Sequence, residues 1–296
     1  MKVEYPKSMQ EFMDQFTTEE ACRQYLVDVR WDGKFKCPHC SHTDAWQLKR
    51  GTFRCRKCHH DMSVTSGTVF EGSHLPLRIW FQALWCVVSQ KHGVSALGLS
   101  RALGINRQKT GWQLLGKIRG AMVRSGRERL QGTVEVDEVF LGGVKPGKRG
   151  RGALGKVLVL VAVEDKGKAG IGRIRIVVIP DATGESLRQA VVTMVENGST
   201  VRTDEWRGYT SKALEGYGHT VIKRKLVEPG EDPTPLVHRI ASLLKRWLLG
   251  THQGGVQETC LPSYLEEFVF RFNRRTSRSR GKLFYRLVQG MIYSKY

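Results

Sequence analysis

The 296-residue chain has no long apolar run: the longest, residues 157–163, is seven residues, and a membrane-spanning helix needs about 20. Residues 1–16 mix acids, bases and a proline, without the apolar stretch of a signal region. The expectation is a cytoplasmic protein with no membrane partner. There is no internal repeat. Hydrophobic residues make up 40% of the chain, enough to bury a core, which excludes a disordered tail or a collagen-like fibre. The length allows one large domain or two to three small ones. Acidic residues are the scarce class: 28 Asp and Glu face 48 Lys and Arg, a net charge of +20. That excess selects a polyanionic partner, nucleic acid ahead of an anionic membrane surface.

Cysteine is sparse as well, seven in all, and in a reducing compartment thiols are free or metal-bound rather than bridged. Four of them form two C-x2-C pairs, Cys37-Pro-His-Cys40 and Cys55-Arg-Lys-Cys58, with fourteen residues between. Each pair places two thiolates on one knuckle, and two knuckles joined by a hairpin complete a tetrahedral site for one structural Zn²⁺. The competing readings are a redox pair or unpaired thiols. His39, His42, His59 and His60 are expected on the surface, with one of them replacing a thiolate as the minor alternative. Cys22, Cys86 and Cys260 lie in helical patterns and are expected as small buried apolar residues.

Four regions follow from the patterning. Residues 1–30 are helical, with Met9, Phe12, Met13 and Phe16, then Ala21, Cys22, Tyr25 and Leu26, at helical spacing. Residues 31–72 form the zinc ribbon. Residues 75–130 read as three helices, near 77–91, 95–103 and 107–123, the last two joined at Gly104-Ile105-Asn106. Short-linked helices of this kind resemble a helix-turn-helix, whose second helix would present Arg107, Gln108, Lys109 and Trp112 to DNA. An ordinary helical connector is the alternative. Residues 133–296 read as strands at 133–141, 157–164 and 172–180, a helix at 184–197, a strand at 200–203 and helices near 236–249 and 261–274. That is a mixed sheet with helices packed on it. Between the first two strands a Gly-rich basic loop carries Lys145, Lys148, Arg149 and Arg151, suited to a phosphate backbone or to solvent.

Two acids stand where a strand pattern meets a polar segment: Asp137 in residues 133–140 and Asp204 in residues 200–209. Carboxylates on neighbouring strands can hold hard divalent cations, and two such ions promote phosphoryl transfer. Taken singly, each reads as a turn or cap residue. His238 and Lys245 are seven residues apart, close to two helical turns, and so share a face. An imidazole can bind a borderline ion and an ammonium can grip a phosphate; on spacing alone a surface His and one more basic residue fit equally.

The segments Val134-Glu-Val-Asp-Glu-Val-Phe-Leu-Gly-Gly143, Thr203-Asp-Glu-Trp-Arg-Gly-Tyr209, Leu243-Leu-Lys-Arg-Trp-Leu-Leu-Gly-Thr-His252 and Tyr264-Leu-Glu-Glu-Phe-Val-Phe-Arg-Phe-Asn-Arg-Arg275 resemble, in order, insertion-sequence transposases of the DDE superfamily. The closest group is the IS1595 family, with its ISXO2-like transposase domain. The zinc ribbon and the helices around Lys91-His-Gly-Val-Ser-Ala-Leu97 and Lys117-Ile-Arg119 fit the same family. The resemblance implies an RNase H-like α+β or α/β catalytic domain over 133–296 with a basic C-terminal helix. It also implies two Mg²⁺ or Mn²⁺ ions, and DNA cleavage followed by attack of the freed 3′-hydroxyl on target DNA. Asp137 matches the first acid, Asp204 the second, His238 the third position and Lys245 the lysine seven residues on. The third position is usually Glu across the superfamily, and this group also admits Asn or His, which leaves Glu228, Glu231, Glu266 and Glu267 as alternative third ligands. Terminal inverted repeats and target DNA are the implied partners, Arg271, Arg274 and Arg275 further backbone contacts, a homo-oligomer the implied assembly and the bacterial nucleoid the implied location. Three rivals remain: a non-catalytic DNA-binding regulator descended from a transposase, a metal-dependent nuclease that does not join strands, and a zinc-ribbon protein-interaction module.

Overall fold

A computed structural model describes residues 3–48, 51–123, 126–142, 156–223, 225, 232–252 and 257–293. The chain divides into two compact units, one of Met1–Ser125 with Ser277–Tyr296 and one of Gly126–Thr276.

The first unit opens with α1 (Met9–Gln15) and α2 (Glu19–Trp31). Ser8 and Thr18 cap them, each side-chain oxygen accepting from the backbone N–H three residues on. Most of the predicted stripe is inside: Phe12, Phe16, Cys22, Tyr25 and Leu26 are buried and Ala21 half-buried, while Met9 and Met13 are exposed. Strands β1 (Ala45–Gln47), β2 (Thr52–Cys55) and β3 (Asp61–Ser63) form an antiparallel meander. Helices α3 (Leu77–Ser89), α4 (Ala96–Ala102) and α5 (Gln108–Met122) follow. α3 is the apolar centre, burying Trp80, Phe81, Leu84 and Trp85. α4 and α5 approach closely at Gly111, where a Cβ would lie 2.1 Å from Ser100 Oγ and 3.0 Å from the Ala96 carbonyl.

The second unit is a five-stranded mixed sheet, β4 (Thr133–Leu141), β5 (Val157–Asp165), β6 (Ile171–Val178), β7 (Thr200–Thr203) and β8 (Gly218–Val221), in the order β6-β5-β4-β7-β8. β4, β5 and β6 are antiparallel neighbours, and β4, β7 and β8 run parallel. The parallel step is made by α6 (Gly184–Met194) crossing from β6 to β7. Alternation along the strands then sorts the two faces. Val134, Val136, Leu160, Ala162 and Val201 pack against Leu187, Val191 and Met194 of α6. Val139, Leu141, Val159, Val161 and Val163 pack against α7 (Pro235–His252) and α8 (Leu261–Phe272). Asn273, just past α8, docks that helix on the sheet: its amide accepts from the Ile174 N–H at 2.8 Å and donates to the Ile174 carbonyl at 3.0 Å.

The last helix, α9 (Arg280–Tyr293), corrects the sequence reading, which placed it with the sheet. It packs on α2, α3 and α5 of the first unit. The cause is Phe284, which is fully buried with Phe12, Phe16, Tyr25, Phe81 and Trp85 around it at ring-centroid distances of 5.4–6.0 Å. Two cysteines also differ from expectation. Cys22 is buried, but Cys86 on α3 and Cys260, the residue before α8, are only half-buried.

Candidate catalytic and zinc sites

The two cysteine knuckles are built alike. In the first, the Ser41 N–H donates to the Cys37 carbonyl and the Cys37 N–H to the His42 carbonyl. In the second, the His59 N–H donates to the Cys55 carbonyl and the Cys55 N–H to the His60 carbonyl. Ser41 and His59 both take left-handed backbone, φ 57° and 56°, which turns each chain back on itself. The four Sγ atoms lie within 4.8 Å of one another, with Cys37–Cys58 at 3.6 Å and Cys40–Cys55 at 3.5 Å. A tetrahedral zinc with Zn–S bonds of about 2.3 Å separates its sulfurs by about 3.8 Å, so the cluster fits a closed structural Zn²⁺ site. Burial at Cys55 is outweighed by the Cys58 and Lys57 N–H groups, with the Cys40 and Cys58 thiols, which lower it, while Cys58 is raised by its thiol neighbours: the cluster shares its protons, and a metal must displace them. His39, His59 and His60 are exposed, His39 stacking on His60 and His59 on Trp46, while His42, also expected on the surface, is half-buried.

The acidic site is made by β4, β7 and the start of α7. The parallel register pairs Val134 with Val201 and Glu135 with Arg202. Two residues further along each chain are Asp137, which alternation turns toward the α7 face, and Asp204, one residue past the end of β7; the ligand atoms of Asp137, Asp204 and His238 do not all come within 4.8 Å of one another. Asp137 is buried at 8% exposure. Its Oδ1 accepts from the Glu138 N–H at 2.7 Å, and its Oδ2 accepts from the Thr234 hydroxyl at 2.8 Å and lies 3.4 Å from His238 Nε2. His238 Nδ1 in turn is 2.5 Å from Asp232 Oδ2. Hydrogen bonding to Asp137 outweighs partial burial, and with Asp232 it lifts the imidazole to about 9.

Asp204 ends β7 in a turn, its Oδ1 accepting from the Trp206 N–H at 2.9 Å. Trp206 Nε1 then donates to the Ala182 carbonyl at 3.1 Å. Gly208 keeps this turn tight, since a Cβ there would meet Trp206 Nε1 at 2.6 Å and the Ala182 carbonyl at 2.7 Å. Behind the acids sits Tyr209, whose hydroxyl is held well above its ordinary value by burial, then by Glu138, with Asp137 and Asp204 adding to it.

A buried second layer supports the first. Glu135, with no solvent exposure, accepts from the Val237 N–H at 2.7 Å and from Arg202 at 2.6 Å. Arg202 also reaches Asp165 at 3.0 Å. The carboxylate thus caps the first turn of α7 and holds His238 over β4.

Oxygen and nitrogen donors of this kind suit a hard or borderline divalent ion. Adjacent ligands of an octahedral ion bound at about 2.1 Å lie about 3.0 Å apart, and the Asp137–His238 separation of 3.4 Å is close to that.

The ISXO2-like transposase domain matches residues 129–273, and the transposase zinc-ribbon domain matches residues 17–61. The chain belongs to the ISXO2-like transposases of the IS1595 type, with an N-terminal zinc ribbon. It is 26% identical to an uncharacterized protein in transposable element ISH50 of Halobacterium salinarum, over 90% of this chain and 94% of that protein. The catalytic core domain of BIV integrase aligns at a TM-score of 0.31 and 18% identity, covering 46% of this chain and 81% of that one, too distant a likeness to carry argument. Among the described residues of the transposase, no helix is long and apolar enough to cross a membrane.

The remaining site residues predicted from sequence fall as follows. Lys245 is exposed on α7, two turns beyond His238. Arg107, Gln108, Lys109 and Trp112 are exposed at the start of α5. Lys145, Lys148, Arg149 and Arg151 lie outside the described residues, as do Glu228 and Glu231. The other two alternative third ligands are engaged elsewhere: Glu266 pairs with Arg127, and Glu267 is buried and pairs with Arg271 at 2.8 Å. Three arginines expected on DNA also make contacts within the fold. Arg271 holds Glu267, Arg274 lies 4.1 Å over the Phe270 ring, and Arg275 donates to the Gly172 carbonyl at 3.2 Å. Asp232, Thr234, Glu135 and Tyr209 were not singled out from sequence; the turn signal Asp-Pro-Thr-Pro before α7 was the one local trace of the first two.

Proposed function

We propose that the α7 face of this RNase H-like sheet is where the transposase cuts DNA and joins the freed 3′-hydroxyl to target DNA. Asp137, Asp204 and His238 would hold two Mg²⁺ or Mn²⁺ ions. The observation that carries the reading is the meeting of Asp137 and His238 at 3.4 Å, with Asp204 following the end of the neighbouring strand β7. Bound divalent ions supply activation of the attacking oxygen and charge stabilisation at the leaving oxygen. The chain's own residues do the positioning. Thr234 and the Glu138 N–H fix the two oxygens of Asp137, and the Trp206 N–H fixes Asp204. Lys245 sits about 10 Å further along α7 and grips a phosphate beside the cut. The exposed start of α5, with Arg107, Gln108, Lys109 and Trp112, contacts the terminal inverted repeats, aided by the zinc ribbon, and the +20 charge makes binding strongly salt-dependent. Joining two element ends calls for a homo-oligomer on DNA.

The test is divalent-dependent cleavage and joining on DNA carrying the element's ends, comparing the unaltered chain with Asp137→Ala, Asp204→Ala and His238→Ala. Loss of both activities in all three with DNA binding retained supports the reading. Cleavage without joining of a pre-cut 3′ end makes the protein a nuclease, and DNA binding with neither activity makes it a regulator.

A further inference from the structure

Residues 232–238 form a compact unit at the mouth of α7. Thr234 serves as the helix cap: it is fully buried, its carbonyl accepts from the His238 N–H at 3.0 Å, and its hydroxyl donates to Asp137 Oδ2. Asp232 binds this unit at two points. Its Oδ1 accepts from the Thr234 N–H at 3.0 Å, and its Oδ2 meets His238 Nδ1 at 2.5 Å. One carboxylate therefore fixes both the backbone that carries Thr234 and the ring of His238. An imidazole has two nitrogens with distinct roles, and the hydrogen bond at one decides what the other offers. A carboxylate at Nδ1 keeps the hydrogen bond there, so an ion that displaces the Nε2 proton held against Asp137 Oδ2 meets the lone pair of Nε2.

We infer that Asp232 is a positioning residue for divalent-ion binding. It fixes the ring with Nε2 beside Asp137, so that once an ion replaces the Nε2 proton His238 stays in the Nδ1–H form and nitrogen and carboxylate oxygen act as a donor pair. The inference rests on the proposed role of Asp137 and His238 as ion ligands. It adds a residue that touches neither the ion nor DNA.

The experiment uses the full-length, zinc-loaded protein and Mn²⁺ alone as the probe, with free Mn²⁺ followed by electron paramagnetic resonance. Partners that orient a ligating histidine change metal affinity by about 10–100-fold when removed. Asp232→Ala is expected to weaken Mn²⁺ binding by that factor. Asp232→Asn, whose single amide oxygen can still accept from Nδ1–H but carries no charge, is expected to recover part of it. In Mg²⁺-loaded protein, ¹⁵N spectra of the His238 ring should show the proton on Nδ1 in the unaltered chain and in Asp232→Asn, and a tautomer mixture in Asp232→Ala. Circular dichroism and zinc content of each variant establish that it folds. Should Asp232→Ala bind Mn²⁺ as the unaltered chain does while Asp137→Ala abolishes binding, the role of Asp232 is wrong and the ion site stands. Should Asp137→Ala leave Mn²⁺ binding unchanged, the ion site itself is wrong and the inference goes with it.

Discussion

Replacing Glu135 by alanine tests whether the buried layer under the acids, rather than the acids themselves, fixes the position of α7. Glu135 has no solvent exposure, and its two oxygens take separate partners, the Val237 N–H at 2.7 Å and Arg202 at 2.6 Å. Removing one partner of a buried ion pair costs about 3–5 kcal/mol. Leaving a helix N–H without its charged acceptor costs about 1.5–3 kcal/mol. The two losses overlap, and Arg202 keeps Asp165 at 3.0 Å, so the total should fall at the lower end of the ion-pair range, about 3 kcal/mol. Glu135→Gln keeps an acceptor for Val237 but turns its NH2 toward Arg202, so it loses the ion pair while sparing the helix N–H and should cost less than Glu135→Ala. The assay is urea unfolding of the full-length zinc-loaded protein, with hydrogen exchange resolving β4 and α7. Exchange should quicken first at residues 237–241, and Mn²⁺ binding should fall although no proposed ligand has changed. A Glu135→Ala protein within about 0.5 kcal/mol of the parent, the range of ordinary surface substitutions, with unaltered α7 exchange, would refute the reasoning.

Four other outcomes are expected. Phe284→Ala, which empties the centre of the aromatic cluster, should destabilise the first unit by about 3–5 kcal/mol and leave exchange in the sheet unchanged; denaturant unfolding with hydrogen exchange reads both. Cys55→Ser should remove the one zinc per chain seen by elemental analysis and abolish exchange protection in β1–β3, since a structural zinc site folds with its metal. Gly111→Ala drives a Cβ to 2.1 Å from Ser100 Oγ; overpacking of this kind costs about 1–3 kcal/mol, and a gel-shift assay should show weaker DNA binding, partly restored by adding Ser100→Ala. Without divalent ions, His238 has a folded pKa of about 9, raised from 6.5 by its bond to Asp137. The stability it contributes is therefore full below pH 6.5 and lost as pH rises through 9, so the melting temperatures of the parent and His238→Asn should converge over that interval.

Much of the second unit is written in local pattern. The alternation of residues 133–141 and 200–203 defines β4 and β7 to the residue, because a half-buried strand repeats every two residues. The zinc knuckles are equally local, with all four ligands inside 22 residues. The partners that complete the acidic site are different in kind. Thr234 is 97 residues from Asp137, and Val237 is 102 from Glu135; no periodicity connects such pairs, and only the folded sheet brings them together. The same limit misplaced α9. Leu283, Phe284, Leu287, Val288 and Met291 recur at helical spacing and announce an apolar face, but the pattern is silent on which core receives it. At the end of α8, Arg271, Arg274 and Arg275 also engage a buried glutamate, a phenylalanine face and a strand carbonyl, intramolecular partners on which a sequence pattern is silent.

The two metal sites invite a comparison of charge. Four thiolates select zinc by softness and leave no open position. The proposed catalytic set, two aspartates and a histidine, has one carboxylate fewer than a three-acid site, which should weaken its hold on a hard cation. Asp232 restores the count one bond further out, since its carboxylate 2.5 Å from His238 Nδ1 makes three formal negative charges around the site. Long-range attraction for a divalent cation is then close to that of three acids, while the inner donor is nitrogen. Nitrogen donors favour borderline ions over Mg²⁺, so Mn²⁺ should saturate the site at lower concentration than Mg²⁺, and His238→Glu should narrow the gap between them. Equal half-saturation by the two ions in the parent protein would mean that His238 does not reach the metal.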